Sequence, residues 1–314
     1  MKVEVTREEL KRIVNNAASV VDKKSTIPVL ANVLFEAEDG RITLSATDLE
    51  VCYTTQINAD ITEPGRCLAP VHPLSKLLAA LTTETVIIEA QKDSVVISSK
   101  GQFSFPAMDP DDYPAFALPE STTNDMVPID AESFLTPISS VLHATARKEN
   151  YHGIPGVLIK KVDDQLHVVA SDGTRLSMRK IDADIPLRGS FVMSRKSVSV
   201  VKKINKSSSV LLFKQTDDGI VLKNEYEDTV LIRPVQLSYP DYVRILEAEE
   251  IAVFETDTKA FVKMIKRLCL ASDTQPYVNI CIDSGVLKGH ARSDLLEVSE
   301  EIPVSTSSGD FSAW

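Results

Sequence analysis

The sequence contains no run of about 18 apolar residues, so no segment reads as a membrane-crossing helix. Its start, Met1-Lys2-Val3-Glu4, has no apolar leader core, and a cytoplasmic location is expected. Cysteine is scarce. The four present, Cys52, Cys67, Cys269 and Cys281, stand far apart without a C-x-x-C pair, which argues against a disulfide framework and a structural zinc site. Catalytic signatures are missing as well: there is no phosphate loop of the form G-x-x-x-x-G-K-S/T, no G-x-G-x-x-G, no H-E-x-x-H and no G-x-S-x-G elbow. The five histidines (His72, His143, His152, His167, His290) are scattered, and His167 and His290 read as strand residues. The acidic run Asp109, Asp111, Asp112 lacks the glycine and distant glutamate of a calcium loop and reads as a solvated turn. No enzymatic activity, cofactor or metal is expected. Bases are also in the minority, with 34 Lys+Arg against 45 Asp+Glu and a net charge of −11, a total that argues against nucleic-acid binding.

What the sequence does contain is ordinary core material, 43% hydrophobic and 25% charged over 314 residues, enough for two or three domains. An internal repeat sets their boundaries. Three segments follow one template of strand, turn, strand and Thr/Ser-Asp. They are Val33–Glu36 with Ile42–Asp48, Val157–Lys160 with Leu166–Asp172, and Val278–Ile282 with Val286–Asp294. The closing aspartates 48, 172 and 294 lie 124 and 122 residues apart, so the repeating unit is a whole domain rather than a solenoid turn.

Each unit opens with a cap residue, Thr6, Asp130 or Asp257, and an amphipathic helix. Leu10, Ile13 and Val14 in the first copy answer Phe134, Pro137 and Ile138 in the second, and Phe261, Met264 and Ile265 in the third. These are one apolar helix face, with Pro137 expected to kink or shift its copy. A second helix repeats too: Pro73–Leu81 answers Ser197–Ile204, with Leu74 and Val198 again 124 apart. Tyr-Pro turns close the first two copies at Tyr113-Pro114 and Tyr239-Pro240. The third copy is expected to stop before its second helix and closing strands. The expected domains are residues 1–121, 127–246 and a partial 251–314, an α+β fold of three tandem two-helix, antiparallel-sheet repeats.

Charge is unevenly spread. Residues 1–120 carry −7, residues 127–246 carry +3 and residues 247–314 carry −6. The bases gather around helices: Lys11 and Arg12 on one, Arg195, Lys196, Lys202, Lys203 and Lys206 around another, and Lys259, Lys263, Lys266 and Arg267 on a third. One such face is merely solvated. Its recurrence in equivalent helices points to a surface that holds a polyanion despite the negative total.

The order and spacing of four words carry a resemblance over nearly the whole chain. They are Ile27-Pro28-Val29-Leu30-Ala31-Asn32, Thr47-Asp48-Leu49-Glu50, Ser171-Asp172-Gly173-Thr174-Arg175-Leu176 and Tyr239-Pro240-Asp241-Tyr242. With the threefold repeat, they make the chain resemble the bacterial sliding clamp, the beta subunit of DNA polymerase III. The resemblance implies a homodimeric ring of six similar domains, helices lining the hole and strands forming the shell, which encircles double-stranded DNA without reading its sequence.

DNA-facing candidates are Lys11, Arg12, Lys24, Lys148, Lys196, Lys202, Lys203, Lys263 and Lys266. The family also binds short peptides of the replicative polymerase, the clamp loader and repair proteins in a pocket between its second and third domains. Matching positions are Ile154, Ser171, Gly173, Thr174, Arg175, Leu176, Pro240, Arg244 and Ile245. Thr174 stands where the family often has histidine, and the tail that completes the family's pocket would lie beyond Trp314. Ring closure implies an interface of Phe103, Phe105 and Met108 with Cys269 and Leu270. The strand around Glu301–Val304 falls at the same edge, where Pro303 lacks a pairing donor. The resemblance leaves an alternative: a clamp-like protein unable to close a ring that still binds partner peptides or subunits.

Overall fold

In the computed structural model, described over residues 1–23, 25–114, 125–146, 155–182, 184–247, 253–271, 277–283, 285–308 and 311–313, the chain divides into two units, Met1–Tyr239 and Pro240–Trp314. The first unit holds two copies of the repeat. Copy one runs β1 (Lys2–Thr6), α1 (Arg7–Val20), β2 (Asn32–Glu38), β3 (Arg41–Thr47), β4 (Val51–Asn58), β5 (Asp60–Glu63), β6 (Gly65–Pro70), α2 (Val71–Ala80), β7 (Thr85–Ala90), β8 (Ser94–Ser98) and β9 (Gln102–Pro106). Copy two runs β10 (Val127–Asp130), α3 (Ala131–Ser140), β11 (Gly156–Val162), β12 (Gln165–Ser171), β13 (Leu176–Ile181), β14 (Ser190–Ser194), α4 (Arg195–Ile204), β15 (Val210–Gln215), β16 (Ile220–Lys223) and β17 (Thr229–Ile232).

α1 forms because its apolar residues fall on one stripe. Leu10, Ile13, Val14, Ala17 and Val20 are all fully buried, and each large aliphatic contributes about 1.5–3 kcal/mol of burial. Thr6 stands at its cap with no side-chain bond, and Arg7 N–H instead reaches the Glu84 carbonyl at 2.8 Å. Asp130 and Asp257 do cap, accepting from Ser133 N at 2.7 Å and Ala260 N at 2.8 Å. Pro137 lies inside α3, where it removes a helical donor; that helix spans 10 residues against 14 for α1.

The described strand pairs are antiparallel, and they join the copies. One sheet has the order β5-β1-β7-β8-β9 and another β13-β12-β11-β14. The third, β10-β15-β16-β17-β4-β3-β2-β6, contains strands of both copies. Its seam is β17 on β4, with Thr229 opposite Thr54 and Ile232 opposite Val51. One hydrophobic core, from Val3 to Ile232, runs through the unit. The helices touch in the sequence α2–α1–α4–α3, and α1 also lies against β3 and β4.

The second unit holds α5 (Tyr242–Leu246), β18 (Val253–Glu255), α6 (Thr258–Leu268), β19 (Asn279–Asp283), β20 (Val286–Arg292), β21 (Glu297–Pro303), β22 (Thr306–Ser308) and β23 (Phe311–Ala313). Sheets β18-β22 and β21-β20-β19-β23 repeat the pairings of β1 with β5 and of β4, β3, β2 and β6. The third copy thus follows the template through the β6 equivalent. Its core is Met264, Leu268, Ala271, Ile282, Leu287, Ala291 and Ile302. Gly289 of β20 lets α6 approach: a Cβ there would overlap Met264 Cε and Leu268 Cδ1. Pairing with β20 continues to Pro303, opposite Val286.

Candidate nucleic-acid interface and partner surfaces

Of the nine cations expected to face DNA, Lys24 and Lys148 lie outside the described residues. Lys202 on α4 and Lys263 and Lys266 on α6 are exposed, Lys11 on α1 is half-exposed, and none of the four makes an ion pair among the described residues. Lys259 is exposed beside them on α6, and neither α4 nor α6 carries an acidic residue. Lys203 is exposed as a residue, yet its ammonium donates to the Asn15 carbonyl at 2.9 Å, and burial of that group pushes its pKa down.

The remaining two cations are committed elsewhere. Arg12 Nη1 lies 3.0 and 2.8 Å from the carboxylate oxygens of Asp228, whose side chain is 1% exposed. Tyr53 Oη donates to the same carboxylate at 2.8 Å, Asn16 at 3.3 Å and Asn224 at 3.4 Å. Arg12 also stands 5.8 Å from the Tyr226 ring. Lys196 donates to Asp22 at 2.7 Å and to Asp48. Burial pushes its pKa down, but the two carboxylates outweigh burial and hold it above its ordinary value. Arg12 and Lys196 therefore bind the first copy to the second, each held by carboxylates of the other copy.

Glu50 completes this join. It accepts from the hydroxyls of Ser194 and Ser197 at the start of α4, where a carboxylate also meets the positive end of the helix. Sequence reasoning quoted Glu50 as part of a word and missed Asp228, Asn16, Tyr53 and Asn224; no local signal marks them.

The peptide-site candidates divide between the units. On the first, Ser171 and Asp172 close a tight turn. Ser171 Oγ donates to the Arg175 carbonyl at 2.9 Å, and Gly173 adopts φ +89°. Burial pushes the Asp172 carboxyl up, but bonds from the Arg175 side chain and from Thr174 outweigh it and hold the group well below the usual carboxylate range. Gly173, Thr174 and Arg175 are exposed and Leu176 is half-buried. The Arg175 guanidinium is pinned to Asp172 at 2.7 Å within its own turn. On the second unit, Pro240 and Arg244 are exposed, and α5 presents Val243, Ile245 and Leu246, which are 39–57% exposed, beside buried Tyr242. Ile154 lies outside the described residues. Tyr113 and Tyr239 explain the repeated Tyr-Pro turns. Each phenol reaches back to its own copy, Tyr113 to Thr47 N at 3.1 Å and Asn32 O at 3.3 Å, Tyr239 to Val169 O at 3.2 Å.

Among the expected interface residues, Phe103 is 38% exposed on β9, which ends its sheet. Phe105 packs against the main core and Met108 against Leu34, Leu68 and Tyr113. Cys269 is exposed and Leu270 is 73% exposed just past α6. The acidic run forms a capped turn: Asp109 accepts from Asp111 N at 2.9 Å and Asp111 pairs with Arg66 at 3.0 Å. No cluster suited to a metal ion occurs among the described residues, and no described helix is long and apolar enough to cross a membrane.

Residues 1–118 match the family model described as DNA polymerase III beta subunit, N-terminal domain. The beta sliding clamp of Caulobacter vibrioides is 23% identical over 91% of this chain and 79% of its own length. That of Pseudomonas aeruginosa is 27% identical over 99% and 86%. The solved DNA polymerase III beta subunit of Thermotoga maritima has a TM-score of 0.89 at 27% identity, again over 99% of this chain and 86% of that one.

Proposed function

We propose that this chain is a member of the bacterial DNA polymerase III beta sliding-clamp family and acts as a DNA sliding clamp, a non-enzymatic processivity factor that encircles duplex DNA and tethers the replicative polymerase and other partners. The observation that carries the reading is the gathering of bases on helices: α4 and α6 each carry bases and no acidic residue, and Lys202, Lys263 and Lys266 are exposed on them, within a chain of net charge −11. Lysine–phosphate pairs are independent of sequence and exchange readily, which suits a protein that must hold DNA and slide. Persistence then comes from topological closure, with affinity secondary.

The test is DNA retention as a function of salt for the Lys202→Glu, Lys263→Glu, Lys266→Glu triple variant on two unrelated duplex sequences. Retention should fall equally on both, and the slope of log affinity against log salt should flatten by roughly 0.9 for each phosphate no longer neutralised. An unchanged slope overturns the assignment.

Two further surfaces belong to the same reading. Partner peptides use Ser171, Gly173, Thr174, Arg175 and Leu176 on the first unit, and Pro240, Arg244 and Ile245 on the second, together with Ile154. A fluorescent clamp-binding peptide that is indifferent to Leu176→Asp counts against this. Copies associate through β9 and β21. β9 follows β7 and β8 as β17 follows β15 and β16, and β21 answers β4, so β9 of one copy on β21 of another repeats the internal β17–β4 seam. Phe103→Asp should shift sedimentation toward the monomer.

A further inference from the structure

The seam between the first two copies has a side-chain code. The turn Asp48-Leu49-Glu50 sits over the start of α4, where Glu50 takes the Ser194 and Ser197 hydroxyls and Asp48 takes Lys196. The repeat says what stands at the equivalent places elsewhere. Leu74 of α2 answers Val198 of α4, and both are buried. Pro70, His72 and Pro73 therefore stand where Ser194, Lys196 and Ser197 stand. Asp294 answers Asp48, so Leu295 and Leu296 answer Leu49 and Glu50. Both sides have changed together. The acceptor Glu50 has become Leu296, and its two hydroxyl donors have become prolines with no side-chain donor. The Lys–Asp pair has become His72 and Asp294.

The third-copy turn is formed and bare. Ser293 N donates to the Leu296 carbonyl at 2.8 Å, and Leu296 N to Ser293 Oγ at 3.2 Å. Leu295 is 96% exposed and Leu296 is 42% exposed. Pro73 is exposed, and Pro70 and His72 are half-buried. An apolar tip and a matching apolar landing place thus lie on the same chain, each at the position where the internal seam is polar.

We propose that the Asp294-Leu295-Leu296 turn docks on the start of α2 in a second copy of this chain, Leu295 and Leu296 against Pro70 and Pro73, with Asp294 facing His72. This rests on the reading that β9 of one copy meets β21 of another, and adds the element that keeps the two joins from being exchanged. Glu50 on Pro70 and Pro73 would lose both donors, and Leu296 on Ser194 and Ser197 would leave two hydroxyls without their acceptor, a penalty against each wrong pairing.

The experiment is sedimentation equilibrium of the full chain and four variants: Leu296→Glu, Pro70→Ser/Pro73→Ser, the two combined, and Phe103→Asp. Thermal melting checks that each is folded. Leu296→Glu should weaken association by about tenfold or more, and so should the double serine variant, as expected when a central apolar anchor is removed. Combining them installs the Glu–Ser–Ser code of the internal seam and should restore association to within a few-fold of the unmodified chain. If Phe103→Asp dissociates the assembly while Leu296→Glu and the serine variant leave it unchanged, the docked turn is overturned and strand pairing stands. Failure of the combined variant to recover, with each part weakened, overturns the code. A chain that is monomeric throughout overturns both readings.

Discussion

Asp228 is the acceptor on which Arg12, Tyr53, Asn16 and Asn224 converge, and Asp228→Ala removes it from a site where its side chain is 1% exposed. Tyr53 is fully buried, and burial first, then the neighbouring carboxylate, push its phenol up, so it stays a neutral donor. With Asp228 gone its hydroxyl keeps Asn16 Nδ2 at 3.4 Å, which is itself a donor. A buried donor left unsatisfied costs about 1–3 kcal/mol, and breaking a buried ion pair about 3–5 kcal/mol in all. Arg12 is 37% exposed and regains water, which places the loss near the lower end, about 3–4 kcal/mol. For a unit of this size each kcal/mol lowers the melting temperature by roughly 2–4 °C, so calorimetry should show a drop of about 6–16 °C. Arg12→Ala and Asp228→Ala together should cost less than their sum by about 1–3 kcal/mol. A drop under about 2 °C for Asp228→Ala would refute the claim that this cluster locks the two copies together.

Gly289→Ala should destabilise the second unit by about 1–3 kcal/mol, because its methyl would overlap Met264 and Leu268; a two-transition melt should show only that unit's transition shift. In thiol labelling of the folded chain at mildly alkaline pH, exposed Cys269 should react, while Cys67, 2% exposed and pushed up to about 12 by burial, should wait for unfolding. The Asp172 turn should loosen in acid. Its carboxyl is held below the usual range, so the turn's stabilisation is present above the unfolded carboxylate pKa of about 3.9 and fades as pH falls toward the folded value. Carboxyl NMR titration measures this, and an ordinary pKa there would end the argument.

The repeat and its helices were legible because they rest on local regularities. The apolar stripe of α1 and the caps Asp130 and Asp257 each act within four residues of themselves. The two Tyr-Pro turns were visible as words, although the phenol bonds that justify them were not. The fate of individual cations was hidden. Arg12 is 216 residues from Asp228, and Lys196 is 148 from Asp48. A charge map counts both as available to phosphate, and only the fold shows that carboxylates of the neighbouring copy already hold them. Glu50 was obscured in the same way, 144 residues from Ser194.

The β17–β4 seam also has a timetable. Its rungs join residues 175 to 181 apart, from Thr229 with Thr54 to Ile232 with Val51. During synthesis β4 is complete long before β17 exists. At about 5–20 residues per second, the edge Val51–Asn58 waits roughly 10–35 s for its partner strand. An unpaired edge is a template for other chains, so the nascent first copy is most exposed to aggregation in this interval, before the second has been translated. Slow translation of residues 127–232 would lengthen that window, and a chaperone that covers β4 would act there, upstream of any ring.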